Sequence, residues 1–450
     1  MVILNSSGFK KLFIFVLVFR TITNPIKAIH SLHRYGDLVL INLFGKKLLF
    51  VRKPEFIEEI FRQEAKGLLN RDVLYEAKKP VFGNSLLNSH QDIWQRQRRV
   101  MQPLFNKDSV GIWSNSFIEE SNALVARFKQ TSGDINLSHE LKQHVQHLFI
   151  RVLFGHSADN SSHAQPLINA IDAISKGLAP LVVTELIGLG KLKLLFPFRV
   201  KRLHQALKHL KAFIQQDIAR KKIHGNAGVA NNLISLLMQA KDPKTAYTIS
   251  EELLNDEAIS LFFAGQDTTI NTLLWFFYLI AKNEAIQSRM IEEIQQCRED
   301  ELTMENLSKL VYTKAVLSEA MRLYPSTAAL STHAVENFAL GEHEIAAGTD
   351  VILSLYDTHH HEKLWERPEE FYPEHFLSPL LEKRHKFAYF PFGGGAHSCI
   401  GRHFAELEIM IIIVSLLRAF RFTTNLASIK PAHSITIKPN RDITLTALPH

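Results

Sequence analysis

A run of eight apolar residues, LLWFFYLI at 273–280, lies inside a longer helical pattern and most constrains how this chain can fold. The pattern opens at a capping-box spacing, Thr248 to Glu251, with Ser250 as an alternative N-cap, and we expect it to run past residue 290. A helix that is apolar on every side is buried in the middle of a large protein. The chain should therefore build one core around this helix.

Helical patterns with a few short strands make up the rest of the chain. Residues 38–52 predict two strands joined by a Gly-Lys turn, and the next helix has Pro54 in its first turn. Short strands are predicted again after Pro325. Because no repeat or linker divides the pattern, we predict a mostly α fold with small β-sheets, as a single large domain over residues 30–450.

Residues 1–29 form an N-terminal apolar segment set apart from this domain. Two lysines precede eight apolar residues, Leu12 to Phe19, which fall far short of the ~20 needed to span a bilayer. No small-residue cleavage site follows before Arg20, so a secretory signal is disfavoured. We interpret the segment as attached to a membrane surface; a buried first segment is the alternative.

The composition excludes several classes of protein. Two cysteines, Cys297 and Cys399, cannot form a disulfide framework, so we expect a reducing compartment and a cytoplasmic protein, free or held at a membrane surface. The net charge of +7 suits an anionic membrane surface or an acidic partner. Because no run of six like charges occurs, we predict no nucleic-acid partner.

The second cysteine lies in FPFGGGAHSCIGRH, residues 390–403, where a glycine-rich turn leads into an apolar helical stretch. The glycines at 393–395 allow the backbone to approach a ligand closely. A phosphate-binding loop needs a lysine that is absent here, and a zinc site needs a further thiol. A lone thiolate at a helix start is stabilised by the helix dipole. We expect Cys399 to bind one metal ion in a flat cofactor.

An acid and two hydroxyls interrupt the central helix at AGQDTT, residues 264–269. Burying the ionisable Asp267 costs free energy, whereas Ala264 and Gly265 are expected to leave open space. Thr268 can bond to an upstream carbonyl and bend the helix. These features predict a groove with a proton supply; a buried packing defect is an equal alternative.

Three further patterns are weak when each is taken alone. Glu319 and Arg322 in SEAMRLYP share one helix face. The stretch RPEEFYPEHF at 367–376 predicts an ordered, aromatic-rich loop. Trp94 and Arg98 in WQRQRR are one helical turn apart, so both can donate to the same carboxylate.

In this order the five patterns resemble the cytochrome P-450 family of haem-thiolate monooxygenases, from about residue 30 to the end of the chain. AGQDTT and the Glu-x-x-Arg and Trp-x-x-x-Arg spacings match three of the family's motifs. The loop motif F-x-x-G-x-[RH]-x-C-x-G is matched by Phe392, Gly395, His397, Cys399 and Gly401.

The resemblance implies haem b (iron protoporphyrin IX) as the cofactor. It makes Cys399 the thiolate ligand of the iron, with Phe392 shielding the sulfur and Gly401 bringing an N–H close to it. It also makes Trp94, Arg98 and His397 the partners of the haem propionates.

His397 stands where the family more often has arginine. Histidine neutralises a carboxylate only while it is protonated, so haem retention is expected to weaken at alkaline pH.

By the same resemblance, Asp267 and Thr268 are the pair that holds water and delivers protons while O2 is activated. Glu319 and Arg322 match two members of the family's buried structural triad. The third is usually arginine in P-E-R-F, but here it is His375, which puts the geometry of the triad in doubt.

The implied activity is insertion of one oxygen atom of O2 into an apolar organic substrate, by hydroxylation or epoxidation. The chain carries no reductase domain, so electrons are expected from a ferredoxin or flavodoxin-type donor with its reductase. Arg96, Arg99 and Arg402 should surround Cys399 and receive an acidic donor. The alternatives are an H2O2-driven peroxygenase of the same fold and a non-catalytic haem sensor.

The substrate pocket is expected between the 73–87 loop, the helix around Phe263 and Ala264, and STAAL after Pro325. These walls are mostly apolar, so a lipid-like or terpenoid substrate is expected. The run HHH at 359–361 is predicted to lie in a solvated loop and to bind no metal.

Overall fold

A computed structural model gives the fold. It describes residues 1–4, 25–43, 45–89, 91–131, 133–155, 167–174, 177–178, 182, 197–224, 232–297, 302–432 and 436–450. Residues 5–24, which hold most of the predicted membrane-surface segment, lie outside these. Within the described ranges, no helix combines the length and the apolarity needed to cross a membrane.

Helices dominate the described chain, as the sequence predicts. In chain order they are α1 (Pro25–Leu32), α2 (Pro54–Ala65), α3 (Tyr75–Phe82), α4 (Gln91–Met101), α5 (Ser114–Gln130), α6 (Leu137–Phe154), α7 (Pro197–His224), α8 (Leu233–Gln239), α9 (Glu251–Ala281), α10 (Glu284–Gln295), α11 (Met304–Ser308), α12 (Val311–Leu323), α13 (Leu355–His359) and α14 (Arg402–Ala419). Residues 167–174 are helical as well.

The strands form small sheets at the edges of the helical body. They are β1 (Val2–Leu4), β2 (Leu38–Leu43), β3 (Lys46–Val51), β4 (Leu69–Asn70), β5 (Asp134–Asn136), β6 (Ala329–Ala334), β7 (Phe338–Leu340), β8 (His343–Ile345), β9 (Thr349–Ser354), β10 (Phe420–Thr423), β11 (Pro431–Ala432), β12 (Lys438–Pro439) and β13 (Thr444–Pro449). The largest sheet has the order β1-β2-β3-β9-β6-β4, and a second has the order β10-β13-β5. The predicted hairpin over 38–52 is confirmed as β2 and β3, which pair antiparallel.

The central helix α9 has 31 residues, which span about 46 Å at 1.5 Å per residue. Ser250 is its N-cap, and the Ser250 hydroxyl accepts a hydrogen bond from the N–H of Leu253 at 3.3 Å. The expected run past residue 290 is wrong, because α9 ends at Ala281. There the Asn283 side chain donates to the carbonyl of Leu279 at 2.7 Å and competes with the backbone ladder.

The core is built around α9, as its apolar sequence predicts. Trp275, Phe276 and Phe277 are fully buried, and α9 packs against α6, α7, α12 and α14. Since α14 starts just after Cys399, this packing places the cysteine turn at one end of a helix that touches the central helix.

The N-terminal residues join the same body. Val2–Leu4 pair in parallel with β2, and the imidazole of His30 in α1 lies 2.7 Å from the carboxylate of Asp357. Described residues on both sides of residue 30 therefore contact the main fold, and the division at this residue stays a prediction.

The expectation of a solvated HHH loop is wrong. His359, His360 and His361 are all buried. The His359 ring accepts a hydrogen bond from the N–H of Phe390, and Nε2 of His361 lies 3.1 Å from the Asp37 carboxylate. Among the described residues, no cluster of His, Cys, Asp and Glu is arranged to hold a metal ion.

Candidate functional site

Cys399 lies at the end of a tight turn that leads directly into α14. Its N–H donates to the carbonyl of Phe392 at 2.8 Å, which fixes its backbone. Gly393 and Gly395 have φ values of +71° and +65°, a region that favours glycine. Cys399 is an exposed residue, although the chain that packs around its sulfur partly desolvates the thiol, so the turn fixes the residue where a ligand can reach it.

The middle glycine of this turn packs against the protein. A Cβ atom on Gly394 would lie 2.5 Å from a ring carbon of Phe387 and 2.6 Å from one of Phe61. The expected close approach of the glycines to a ligand is therefore not the whole role of this turn. Gly394 lets the ring of Phe61 in α2 lie under the turn.

The surroundings of the Cys399 sulfur shift the pKa of the thiol in opposite directions. Burial against the rest of the protein raises the pKa of the thiol, while the N–H of Gly401 and the cations of Arg98 and Arg402 lower it. A sulfur that shares its surroundings with an N–H donor and two cations suits a bond to a metal ion, which would take the place of the proton.

Helix α4 brings the predicted propionate partners to this turn. Nη1 of Arg98 donates to the carbonyl of Ser398 at 2.9 Å. The ring of Trp94 stacks on His397, with centroids 3.8 Å apart and planes inclined at 30°. Trp94, Arg98 and His397 therefore meet beside Cys399, as the sequence predicts.

His397 is held as a neutral ring. Burial, together with Arg71 and Arg98, lowers the pKa of His397 to about 3. Before a carboxylate enters the site, the ring is already neutral at pH 7. The expected loss of charge toward alkaline pH then requires that a carboxylate first raise this pKa, and the positive charge here comes from the arginines.

Arg71 is a residue of this site that the sequence did not reveal. Its guanidinium forms a bidentate ion pair with the buried carboxylate of Glu64. It also donates to the carbonyl of Ser331 at 3.3 Å. It contributes to the low pKa of His397. The sequence gives no signal for it, because the contact joins distant parts of the chain.

The acid and hydroxyl group lies in the middle of α9. Ala264 is exposed there, and Leu261, Gly265 and Thr268 on the same face are only partly buried, so this face of α9 is open in the middle of the helix. The hydroxyl of Thr268 donates to the carbonyl of Ala264 at 2.7 Å, as predicted. Asp267 is half-buried beside Thr268.

The expectation of open space at Gly265 is wrong. A Cβ atom at this position would lie 2.1 Å from the tip of the Phe149 ring in α6. Phe149 fills the space that the missing side chain provides, so the opening in the helix lies at Ala264 and the glycine serves the packing of α6 on α9.

A second acid, Glu408 in α14, joins the two halves of the site. Its carboxyl is fully buried, and the hydroxyl of Thr269 donates to it at 3.4 Å. Burial raises the pKa of Glu408 well above its ordinary value, which favours the protonated form. This contact links the helix that carries Thr268 to the helix that follows Cys399. The acid inside the apolar run AELEIMIII was the available signal.

The predicted structural triad is assembled with histidine in the third place. Arg322 donates to both carboxylate oxygens of Glu319, at 2.8 and 2.7 Å. Nδ1 of His375 lies 3.2 Å from each of the same oxygens, and Nε2 lies 2.5 Å from the carbonyl of Glu366. The histidine therefore occupies the place of the usual arginine and contacts the same carboxylate.

Two of the three predicted docking arginines are engaged inside the chain. Arg99 donates to the buried Asp242 at 2.8 Å, and Arg402 donates to Glu406 one turn along α14 at 2.9 Å. Arg96 is exposed. The three side chains thus differ in how freely they can meet a partner.

Comparisons with known proteins give the family and the fold that this chain matches. The profile of the family described as cytochrome P-450 matches residues 7–445. Cyclooctatin synthase of Streptomyces melanosporofaciens is 27% identical over 431 residues, covering 94% of this chain and 90% of the relative. Cyclooctat-9-en-7-ol 5-monooxygenase of the same organism is 26% identical over 405 residues, covering 88% and 85%. The fold is similar to the crystal structure of the cytochrome P450DA haem domain, with a TM-score of 0.82 and 20% identity over 96% of this chain and 93% of that one.

Proposed function

Because the chain belongs to the cytochrome P-450 family and is a monooxygenase of that family, we propose that it binds haem b through Cys399 and oxidises a terpenoid-like substrate. The observation that carries the proposal is the exposed Cys399, with Arg98 and the Trp94–His397 stack beside it. A soft sulfur donor next to a cation and an indole N–H suits an iron porphyrin with carboxylate side chains.

In this proposal each residue around the sulfur has a separate task. Arg98 and Trp94 hold a propionate by donated hydrogen bonds, and neutral His397 donates a further N–H. Phe392 shields the sulfur, and the Gly401 N–H stabilises its negative charge. When bound, haem supplies the iron that activates O2, and a thiolate ligand increases the electron density on that iron.

We assign proton delivery to Asp267 and Thr268. The Thr268 hydroxyl donates its hydrogen bond to the carbonyl of Ala264. Its oxygen lone pairs can therefore accept a hydrogen bond from water or from substrate-derived groups. The half-buried carboxyl of Asp267 can exchange protons with water and pass them to this position.

The substrate that we propose is a compact, mostly hydrocarbon molecule of the terpenoid type. Phe82 and Phe263 pack edge to face at 5.1 Å and supply an apolar wall next to exposed Ala264. The relatives from Streptomyces are named for cyclooctatin and for oxidation of cyclooctat-9-en-7-ol. An apolar wall beside an open alanine suits a molecule with that kind of skeleton.

Electrons are proposed to come from an acidic ferredoxin or flavodoxin-type donor with its own reductase. Arg96 is exposed, and the ion pair between Arg402 and Glu406 at the surface is weak enough to exchange partners. Arg99 is less available, because leaving Asp242 would take the cation away from a buried carboxylate. We further propose a cytoplasmic location, with residues 1–29 attached to a membrane surface and residues 30–450 as the haem domain.

The deciding experiment has two stages. A carbon monoxide difference spectrum of the reduced protein should show the red-shifted Soret band of thiolate ligation, and Cys399→Ser should lose it. Product is then sought from a terpenoid alcohol such as geranylgeraniol, with a surrogate ferredoxin and reductase or with H2O2 alone. Product only with the ferredoxin system supports the proposal. Product with H2O2 alone indicates a peroxygenase. If neither system gives product, a haem sensor is indicated.

A further inference from the structure

The carbonyl oxygen of Thr268 is the meeting point of two hydroxyls that none of the roles above uses. It lies 2.9 Å from Oγ of Ser326 and 2.9 Å from Oγ1 of Thr272. The two hydroxyl oxygens are 2.8 Å apart. The three oxygens therefore form a closed triangle on the turn of α9 that carries the assigned proton-delivery pair.

Only one corner of this triangle comes from outside α9. A threonine hydroxyl can bond to the carbonyl four residues earlier in any helix, so Thr272 ties this turn to its own helix. Ser326 lies between α12 and β6, and the carbonyl of Thr268 offers it acceptor lone pairs only. Ser326 must therefore donate, and its hydrogen bond ties the turn to a second part of the fold.

Ser326 is itself held firmly against α9. Its carbonyl accepts a hydrogen bond from the N–H of Ile437 at 3.0 Å, and the carbonyl of Ile437 accepts one from the indole of Trp275 at 3.2 Å. Tyr324 stacks on Trp275 with centroids 3.7 Å apart and planes inclined at 8°. The Ser326 hydroxyl is therefore presented to Thr268 from a fixed base.

The carbonyl and the hydroxyl of Thr268 belong to one residue and move together. The hydroxyl now donates to Ala264 at 2.7 Å, and the carbonyl of Gly265 is 3.4 Å away. A small rotation of the turn would exchange these acceptors and redirect the hydroxyl's lone pairs. We propose that Ser326 is a positioning residue for Thr268: by holding the Thr268 carbonyl, it sets the direction in which the Thr268 hydroxyl faces the reacting groups.

This inference rests on the proposed proton-delivery role of Thr268, and its effect should appear in how electrons are used. In the coupled reaction, O2, two electrons, two protons and a substrate C–H bond give C–OH and water. In the uncoupled reaction, O2, two electrons and two protons leave as hydrogen peroxide. Misplacing the Thr268 hydroxyl should favour the second outcome and leave cofactor and substrate binding in place.

The test uses the holoenzyme with NADPH, a surrogate ferredoxin with its reductase, and geranylgeraniol as the probe. Product and peroxide are measured per NADPH, with and without the probe, so that the peroxide share is defined even when product forms slowly. For Ser326→Ala we expect product per NADPH to fall about fivefold, as for the loss of one neutral hydrogen bond. Peroxide should rise to match, with an unchanged Soret shift on probe binding.

Two further variants give the comparison its controls. Ser326→Thr keeps the hydroxyl and should restore the wild-type ratio. Ser308→Ala removes an exposed serine hydroxyl that also donates to a helix carbonyl, that of Glu305 at 2.6 Å, and should change nothing.

The outcomes separate this inference from the function on which it rests. If Thr268→Ala uncouples the enzyme and Ser326→Ala does not, the positioning role is wrong and the assignment of Thr268 stands. If Thr268→Ala leaves the ratio unchanged, the proposed proton delivery is itself wrong. Failure of Ser326→Ala to bind haem would also overturn the inference, because it would show a folding role.

Discussion

Gly265 in α9 lies so close to Phe149 in α6 that a Cβ atom at residue 265 would be 2.1 Å from the tip of the phenyl ring. Real side chains do not approach this closely, so the Phe149 ring or one of the two helices would have to move. Gly265, the second residue of the AGQDTT motif, is therefore needed for helix packing, and the exposed position on this part of α9 is Ala264.

We predict that Gly265→Ala lowers the free energy of unfolding by about 2–4 kcal/mol through overpacking. Thermal unfolding of the haem-loaded protein measures the change. Because the clash involves one ring, Phe149→Leu should be less harmful in the Gly265→Ala background than in wild type.

Gly111→Ala serves as the control, since a Cβ atom there meets nothing within 4 Å. Equal losses for Gly265→Ala and Gly111→Ala, or additive effects in the double variant, would contradict the packing explanation.

Thr268→Ala should uncouple the enzyme. The variant keeps its haem and consumes reductant, but product per NADPH falls about tenfold or more, because the assigned hydroxyl no longer guides protons. Thr131→Ala is the matched control. Its hydroxyl also donates to the carbonyl four residues earlier, Arg127 at 3.0 Å, on an exposed helix end. Similar coupling in Thr268→Ala and wild type would remove Thr268 from proton delivery.

The sequence predicts those parts of the fold that depend on local pattern. The apolar run at 273–280 predicts a buried central helix, and the hairpin over 38–52 follows from strand and turn residues. The loop motif predicts which side chains gather around Cys399. Each of these is decided by residues that are near one another in the chain or that share a known motif.

The parts that the sequence did not predict depend on contacts between distant segments. Polar residues at 359–361 suggest a solvated loop, yet they are buried because Phe390 and Asp37 supply hydrogen-bond partners from elsewhere in the chain. Gly265 suggests open space, yet a ring from α6 fills it. Burial of polar groups is favourable only when partners are present, and a single sequence does not display those partners.

The proposed docking surface gives a prediction that separates its three arginines. Arg402→Ala and Arg96→Ala should each slow electron transfer from an acidic ferredoxin, more strongly at low salt, because long-range attraction is screened as salt rises. Stopped-flow reduction of the carbon monoxide complex measures this rate.

Arg99→Ala should act differently from both. It removes the cation from the buried carboxylate of Asp242, which keeps its hydrogen bonds from Lys244 and Thr245, so it should lower the melting temperature more than the transfer rate. A rate that falls equally for all three variants, with no loss of stability for Arg99→Ala, would contradict this division.

His375→Ala should lower the free energy of unfolding by about 2–4 kcal/mol, since it removes a donor from the fully buried carboxylate of Glu319. His375→Arg should lose less, because a guanidinium can donate to the same oxygens. Thermal unfolding of the two variants makes the comparison. Equal losses would mean that the histidine matters for its shape and not for its hydrogen bonds.

The buried carboxyl of Glu257 makes the free energy of unfolding depend on pH. The carboxyl is fully buried in α9, accepts a hydrogen bond from the N–H of Leu86 at 2.8 Å, and lies near the hydroxyl of Ser260. Burial raises the pKa of Glu257 from 4.5 to about 8. The nearby carboxyl of Asp256 adds to this rise.

The sign follows from proton binding. Below pH 4.5 the carboxyl of Glu257 is neutral in both states and costs nothing. Between pH 4.5 and about 8 the unfolded chain loses the proton while the folded chain keeps it, so stability falls as pH rises. Above pH 8 both states are ionised and the cost is constant.

Glu257→Gln removes this titration and keeps the acceptor for Leu86. Its melting temperature should match that of wild type at pH 4.5 and exceed it increasingly up to pH 8. At pH 8 the free energy of unfolding should be higher than that of wild type by an amount on the order of a few kcal/mol. Glu252→Gln, which changes an exposed carboxyl on the same helix, is the control and should show no such trend. A constant difference between Glu257→Gln and wild type across this range would mean that Glu257 does not titrate there, and that its role is confined to the hydrogen bond with Leu86.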